Sequence, residues 1–279
     1  MDTGHMQSRR IPKTGEELPV IGLGTWKTFD VASERGRRPL IEVLDRFSAA
    51  GGRLIDTSPM YGKAEEVVGE LKSHVRQPFL ATKVWTRGRE AGIEQMKRST
   101  RRLRATEIDL MQIHNLVDWQ THLQTLREWK RSGRIRYLGI THYQVGAFPQ
   151  LAEIMRTEEI DFVQLPLSIE MPDAEDRLLP LAKSKGIAVL VNRPFEAGSL
   201  LRDVRRRPLP SWAAEFDCRS WSEIFLRYIV SHPAVTCVIP ATSDPEHLSE
   251  NVGAGEGQML SMQERVRLRT LVNQRKTST

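Results

Sequence analysis

The chain has 279 residues, 39% hydrophobic and 27% charged, with a net charge of +6; that length can bury one large core and is routine for a single α/β barrel. No run approaches the roughly 18 apolar residues of a spanning helix, and no basic start leads into an apolar secretion segment, which argues against membrane insertion. The basic residues Lys97, Arg98, Arg101, Arg102 and Arg104 fall at helical spacing without interleaved aromatics, so they read as a solvated helix face and not as a nucleic-acid surface.

At the amino end Gly4-His5-Met6 fits a cloning scar, and residues 1–10 are expected to be disordered or partly tag-derived. Arg9-Arg10 is followed by IPKTGEELP instead of an apolar stretch, so as written the pair is no export signal. Two cysteines, Cys218 and Cys237, give neither metal spacing nor a disulfide framework. The expectation is a metal-free cytoplasmic protein, monomeric or weakly homo-oligomeric, with export after loss of a leader as the alternative.

Short β-branched runs then alternate with helical patterns. VIGLGT (20–25), RLIDTS (53–58), FLATKV (79–84), DLMQIH (109–114) and IRYLGIT (135–141) are predicted as the first five strands. FVQLPL (162–167), IAVLVN (187–192) and TCVIPAT (236–242) make eight, all without clean polar alternation, as parallel strands covered on both faces require. Between them lie amphipathic stretches such as PLIEVLDRFSAAGG and HLQTLREWKRSGR, the second stopped by Gly133 with arginines in its last turn. Eight strand-then-helix units without linker or composition break predict one (β/α)8 TIM barrel domain over residues 1–279. Its chemistry belongs at the carboxyl ends of the strands.

Polar residues arrive at those ends: Asp56, Lys83, His114, Thr141 with His142, Gln164, and Asn192 with Arg193. Tyr61 follows Asp56 by five residues, past a proline. A phenol is a poor acid near neutrality, but a neighbouring ammonium favours its ionised form, and Lys83 can supply that charge. Asp56 can keep a buried Lys83 protonated, and His114 can donate a hydrogen bond to a carbonyl oxygen lying between it and Tyr61. Such a site protonates an oxygen while something else attacks the carbon.

No side chain delivers hydride, so a cofactor must. GLGTWK (22–27) ends on Lys27 where a dinucleotide fingerprint needs a third glycine, and fails as one. After the eighth predicted strand, IPATSDPEHLSEN offers a helix amino end: Ser243 or Asp244 can cap it, Pro245 suits its first turn, and Ser243 with Glu246 has capping-box spacing. That is an anion site in a natural place for a barrel.

These residues resemble the aldo-keto reductases across nearly the whole chain, from LPVIGLGTW to PEHLSEN. RLIDTSPMYG resembles the family's aspartate-to-tyrosine motif, ATKVW its lysine strand and MQIHN its histidine strand, which implies a catalytic tetrad of Asp56, Tyr61, Lys83 and His114. The implied reaction is hydride transfer from C4 of NADPH to an aldehyde or ketone with Tyr61 as general acid. The same resemblance implies cofactor contacts from Gly24, Thr25, Trp26, Asp56, Thr141, His142 and Gln164. It adds Asn192, Arg193, Pro194 and Phe195, then Pro240, Ala241, Thr242, His247, Glu250 and Asn251.

Three positions depart from the pattern. His142 replaces a common asparagine, Asn192 stands where many members stack an aromatic ring on the nicotinamide with Phe195 as a possible substitute, and Ala241 and His247 replace a lysine and an arginine of the phosphate clamp. NADP(H) is favoured, with NAD(H) as the alternative. Trp26, Met60, Tyr61, Trp85, His114, Asn115 and Phe195 are expected around a small carbonyl substrate, in an open pocket because the chain ends soon after the helical stretch 262–274. Two other readings are a cofactor-binding regulatory subunit with little turnover and a barrel aldolase using Lys83 as a Schiff base.

Overall fold

The computed structural model describes residues 6–274. Two short strands, β1 (Ser8–Arg10) and β2 (Glu17–Pro19), pair antiparallel as a hairpin. Eight parallel strands follow in sequential order: β3 (Leu23–Gly24), β4 (Leu54–Asp56), β5 (Phe79–Val84), β6 (Ile108–His114), β7 (Ile135–Thr141), β8 (Phe162–Pro166), β9 (Ala188–Asn192) and β10 (Cys237–Val238). Parallel bridges Ile21↔Val238 and Gly24↔Ala241 join the last strand to the first, and the chain forms the expected (β/α)8 barrel.

The first and last predicted runs shrink to two-residue strands because the ring closes there through isolated bonds, Gly22 N to Val238 O at 2.8 Å and Gly24 N to Pro240 O at 2.9 Å. Gly24 is required at this seam: a Cβ there would lie 2.8 Å from Ile239 O. Around the ring run α1 (Glu34–Ala49), α2 (Ala64–Leu71), α3 (Arg89–Arg102), α4 (Trp119–Arg131) and α5 (Phe148–Thr157). The second half adds α6 (Ala174–Lys185), α7 (Ser199–Val204), α8 (Trp221–Val230), α9 (Pro245–Gly253) and α10 (Met262–Gln274). The predicted first helix starts earlier than its apolar pattern, at Glu34, because Ser33 caps it by accepting from Gly36 N at 3.2 Å.

Two cores result. The outer one fills the space between strands and helices, with Leu44, Phe47, Met111 and Leu226 fully buried. The inner one fills the amino-terminal half of the barrel, where Phe79, Leu110, Tyr137 and Phe162 pack with Ile11 and Leu18 of the hairpin. The hairpin thus covers the end of the barrel opposite the carboxyl ends of the strands.

That hairpin corrects one expectation. Residues 6–10 are ordered: Met6 is buried, Gln7 N donates to Gly255 O at 2.8 Å, and the Arg9 guanidinium donates to the carbonyls of Val230 (2.6 Å), His232 (2.5 Å) and Val235. Arg9 therefore adds donors to the carbonyls at the end of α8 and in the turn that follows it. Residues 1–5, including Gly4 and His5, and 275–279 lie outside the described residues. Within the basic cluster Lys97 bridges Glu94 at 2.8 Å and Arg102 bridges Glu66 at 3.3 Å, while Arg104 lies past the end of α3. Among the described residues no helix is long and apolar enough to cross a membrane.

Candidate active site

Along each barrel strand every second side chain points inward. Strand register puts Asp56 beside Ala81, Lys83 beside Gln112, His114 beside Thr141, and Thr141 beside Gln164 on that inner face, with Asn192 one inward step beyond Leu190. The inner rows are apolar at the amino end and polar at the carboxyl end, so the predicted residues converge on one mouth.

Lys83 is fully buried, and its Nζ donates to Asp56 Oδ2 at 2.6 Å and Thr57 O at 2.7 Å. Burial pulls its proton affinity down, but the charges and hydrogen bonds of Asp56 and Tyr61 outweigh it and hold the amine above its usual range. The Lys83 Nζ stands 5.2 Å from the centre of the Tyr61 ring. For Tyr61 the balance differs from the expectation of an acidified phenol: burial raises its pKa more than the Lys83 ammonium lowers it, and the net direction is upward. Lys83 limits the effect of burial without reversing it, and the phenol keeps its proton across the neutral range.

Local turn chemistry aims that phenol. Tyr61 N donates to Ser58 O at 3.0 Å, and Gly62 takes a φ of +60° with its Cα so close to Asp30 that a Cβ would fall 2.3 Å from the carboxylate. Asp30 Oδ1 then accepts from Lys63 N at 2.9 Å, tying the loop down just past Tyr61. His114 is edge-on to Tyr61, ring centres 6.0 Å apart, and bonds Ser58 Oγ through Nδ1 at 3.0 Å. Burial, with the charges of Lys83 and His142, depresses its pKa to about 3, leaving a neutral imidazole.

A glutamine relay joins this group to the neighbouring strands. Asp56 Oδ1 accepts from Gln112 Nε2 at 3.0 Å and Gln164 Nε2 at 2.9 Å; since a carboxylate only accepts, both amide orientations are set. Gln164 Nε2 also donates to Gln112 Oε1 at 3.1 Å, and its Oε1 accepts from Thr141 Oγ1 at 3.1 Å and Asn192 Nδ2 at 3.3 Å. Sequence reading missed Gln112, Ser58 and Tyr143. The signal for Gln112 was its spacing: two residues before His114, it shares the inward face of a strand otherwise apolar there.

The remaining predicted residues divide. Trp26, Met60 and Trp85 are 43%, 40% and 42% exposed, a large apolar exposure for a barrel rim. Asn115 follows His114 with a left-handed φ of 52°. Thr25 is buried and spends its hydroxyl on Asp56 O at 3.0 Å, fixing the strand that carries the carboxylate. Phe195 packs against Phe225 in the outer core, ring centres 6.5 Å apart, so its ring is engaged away from the role proposed beside Asn192. Tyr143 is instead the exposed aromatic here, stacked on His142 at 5.6 Å and under the Arg193 guanidinium at 5.5 Å.

At α9 the cap is Asp244, not a Ser243–Glu246 box: Asp244 Oδ1 accepts from Glu246 N at 2.8 Å and His247 N at 3.3 Å. Thr242 Oγ1 accepts from Asp244 N at 3.0 Å, Glu250 Oε2 accepts from Ser222 Oγ at 2.6 Å, and Asn251 is buried. Pro194 and Pro240 are buried, while Ala241 and His247 are exposed.

A parallel eight-stranded barrel thus gathers a buried Asp–Lys pair, a phenol and an imidazole at its carboxyl mouth. The sequence model of the aldo/keto reductase family matches residues 20–272, and the chain belongs to that family. It is 26% identical over 265 residues to the methylglyoxal reductase YeaE of Escherichia coli, with 92% of each chain covered. It is also 26% identical over 311 residues to the NADH-specific methylglyoxal reductase of the same bacterium, covering 88% of this chain and 93% of that one. Among solved structures, an aldo/keto reductase from Klebsiella pneumoniae in complex with NADP and acetate superposes with a TM-score of 0.75 at 25% identity, covering 92% and 93% of the two chains. The protein is therefore a nicotinamide-dependent oxidoreductase that reduces carbonyl compounds.

The residues fit such a cofactor on their own terms. Asn192 Oδ1 is buried at the mouth without a partner, an acceptor suited to a carboxamide N–H, and Arg193 Nε is buried without one in the next residue.

Proposed function

We propose that the protein reduces a small aldehyde or ketone to the alcohol using NADP(H), with Tyr61 as the general acid. The observation that carries this is the buried Asp56–Lys83 pair with half-buried Tyr61 against it, beside neutral His114 at one barrel mouth. When bound, the nicotinamide supplies the hydride that attacks the carbonyl carbon. Tyr61 gives its proton to the carbonyl oxygen, Lys83 stabilises the phenolate that forms, and Asp56 keeps Lys83 charged. His114 holds the carbonyl oxygen by a hydrogen bond, while Thr141, His142, Gln164 and Asn192 orient the carboxamide. The exposed Trp26, Met60 and Trp85 form an apolar rim that admits the substrate.

NADP(H) is the favoured cofactor; the lysine and arginine of the phosphate clamp are absent at Ala241 and His247, and Arg193, beside Asn192 at the mouth, is a cation that supports it. Asp244, acting as the α9 cap, puts a carboxylate at that helix end and works against a phosphate there. NAD(H) is the second reading on that observation, and a two-cofactor titration, repeated in His247→Ala, separates them. The Schiff-base alternative loses support from the short Lys83–Asp56 pair, since it needs an uncharged amine.

The test is NADPH oxidation with a panel of aldehydes and ketones. Tyr61→Phe is expected to lose about 10²–10⁴-fold in kcat while binding cofactor as tightly as wild type. Unchanged turnover removes the phenol from the mechanism. Single-turnover oxidation of bound NADPH without steady turnover supports the regulatory-subunit reading instead.

A further inference from the structure

His114 has two ring nitrogens, and in a neutral imidazole one donates while the other accepts. Which one faces a substrate as a donor decides whether the ring can hold a carbonyl oxygen. The depressed pKa of His114 removes the doubly protonated form from the neutral range, where Lys83, His142 and the Tyr61 phenol are the titratable groups around it.

The partner of Nδ1 is the Ser58 hydroxyl, 3.0 Å away in a site where Ser58 is fully buried and His114 is 6% exposed. Ser58 Oγ also accepts a long hydrogen bond from Met60 N at 3.4 Å, which occupies an oxygen lone pair and leaves the hydroxyl hydrogen to be placed. Among the described residues the acceptor in contact with that hydrogen is Nδ1. Were Nδ1 itself protonated, the ring would donate to Oγ and the serine hydrogen would be stranded in a dry site, an arrangement buried polar groups avoid.

We propose that Ser58 is a positioning residue which donates to Nδ1 of His114 and so fixes the proton on Nε2, the nitrogen that presents a hydrogen-bond donor to the carbonyl oxygen. The same loop carries Ser58 and Tyr61: Tyr61 N bonds Ser58 O at 3.0 Å. One turn therefore sets both donors of the site, the phenol directly and the imidazole through its tautomer. The Tyr61 ring edge-on at 6.0 Å and the Trp85 ring at 6.3 Å hold the imidazole plane while the serine holds its proton.

The proposal rests on the reductase reading for its functional meaning, but its central claim is a protonation pattern that can be read without turnover. Long-range ¹H–¹⁵N NMR of the full chain, with the His114 signals identified by their loss in His114→Gln, distinguishes protonated from unprotonated ring nitrogens. The wild type is expected to show an unprotonated Nδ1 and a protonated Nε2. In Ser58→Ala the tautomer ratio is expected to shift toward Nδ1–H by up to about tenfold, the weight of one hydrogen bond, with kcat for carbonyl reduction falling by a similar factor and cofactor affinity unchanged. A protonated Nδ1 in the wild type, or an unchanged tautomer ratio in Ser58→Ala, overturns the proposal. Absence of carbonyl turnover in the wild type would strike the reductase reading instead, and the NMR result would still decide the tautomer.

Discussion

The two ends of this barrel are built from the same strands and solve opposite problems. At the amino end Phe79 and Tyr137 stack 5.9 Å apart, Phe162 packs edge-on to Tyr137, and Ile11 and Leu18 of the hairpin complete a dry plug. The Tyr137 hydroxyl leaves the plug to meet Thr14 and Glu16, each at 2.8 Å, and Arg136 pairs with Glu16 and Asp109 around it. At the carboxyl end the inner positions are Asp56, Lys83, Gln112, His114 and Gln164, every one of them buried and hydrogen-bonded, under a rim of exposed aromatics. Carbon packing gives the first end its stability, whereas the second holds charges out of water only because each has a partner. The expected division is that substitutions at the plug change stability alone, while substitutions at the mouth change stability and chemistry together.

Lys83→Met gives the largest combined effect. Removing the ammonium leaves Asp56 buried without its partner, expected to cost about 3–5 kcal/mol in a denaturant titration, and reductase activity should vanish. Retained turnover with normal stability would refute the division at the mouth. Phe79→Ala opens the plug and should cost a similar amount, about 3–5 kcal/mol, with kcat of the folded enzyme close to wild type. A matching loss of kcat would show that the plug transmits to the site.

Each end also holds a neutral buried histidine, His114 with a pKa near 3 and His232 near 4, in both cases depressed by burial first and then by neighbouring cations. Both native values lie below the unfolded value of about 6.5, so the unfolded chain binds more protons between the two, and stability falls as pH drops through that window. Each is expected to contribute about 2–3 kcal/mol of loss by pH 4. His232→Gln and His114→Gln should each flatten the acid limb of the stability profile, but only His114→Gln should lower kcat at neutral pH. The smallest effect is expected from Arg9→Ala. Loss of its hydrogen bonds to three carbonyls at and just after the end of α8 should cost about 1.5–3 kcal/mol by thermal or chemical melting. Wild-type stability in that variant would mean that this anchoring of the hairpin is dispensable.

The sequence reading located most of the mouth and little of the plug. Asp56, Lys83, His114, Thr141, Gln164 and Asn192 were legible because each ends or interrupts an apolar run, and strand periodicity alone places such residues together in a closed barrel. The hairpin was not legible: SRR and ELP are three residues each, too short and too polar to carry a period, and Arg9 reads as surface until the α8 carbonyls it meets are known. Capping chemistry was half legible, since Asp244 and Ser243 are equivalent in sequence and only the backbone at Asp244 brings its carboxylate onto two N–H groups.

What the sequence determined by itself is the alternation of the barrel strands and helices, the number of barrel strands and most of the polar residues near the strand ends, because these follow from hydrophobic periodicity along the chain. Tertiary structure alone decided the balance of forces on each group. Burial outweighs the Lys83 charge at Tyr61, two glutamines converge on one oxygen of Asp56, and Ser58 meets Nδ1 of His114 across 56 positions of sequence. Desolvation and hydrogen-bond geometry depend on which atoms from distant segments share a few ångströms of space, and no local pattern encodes that.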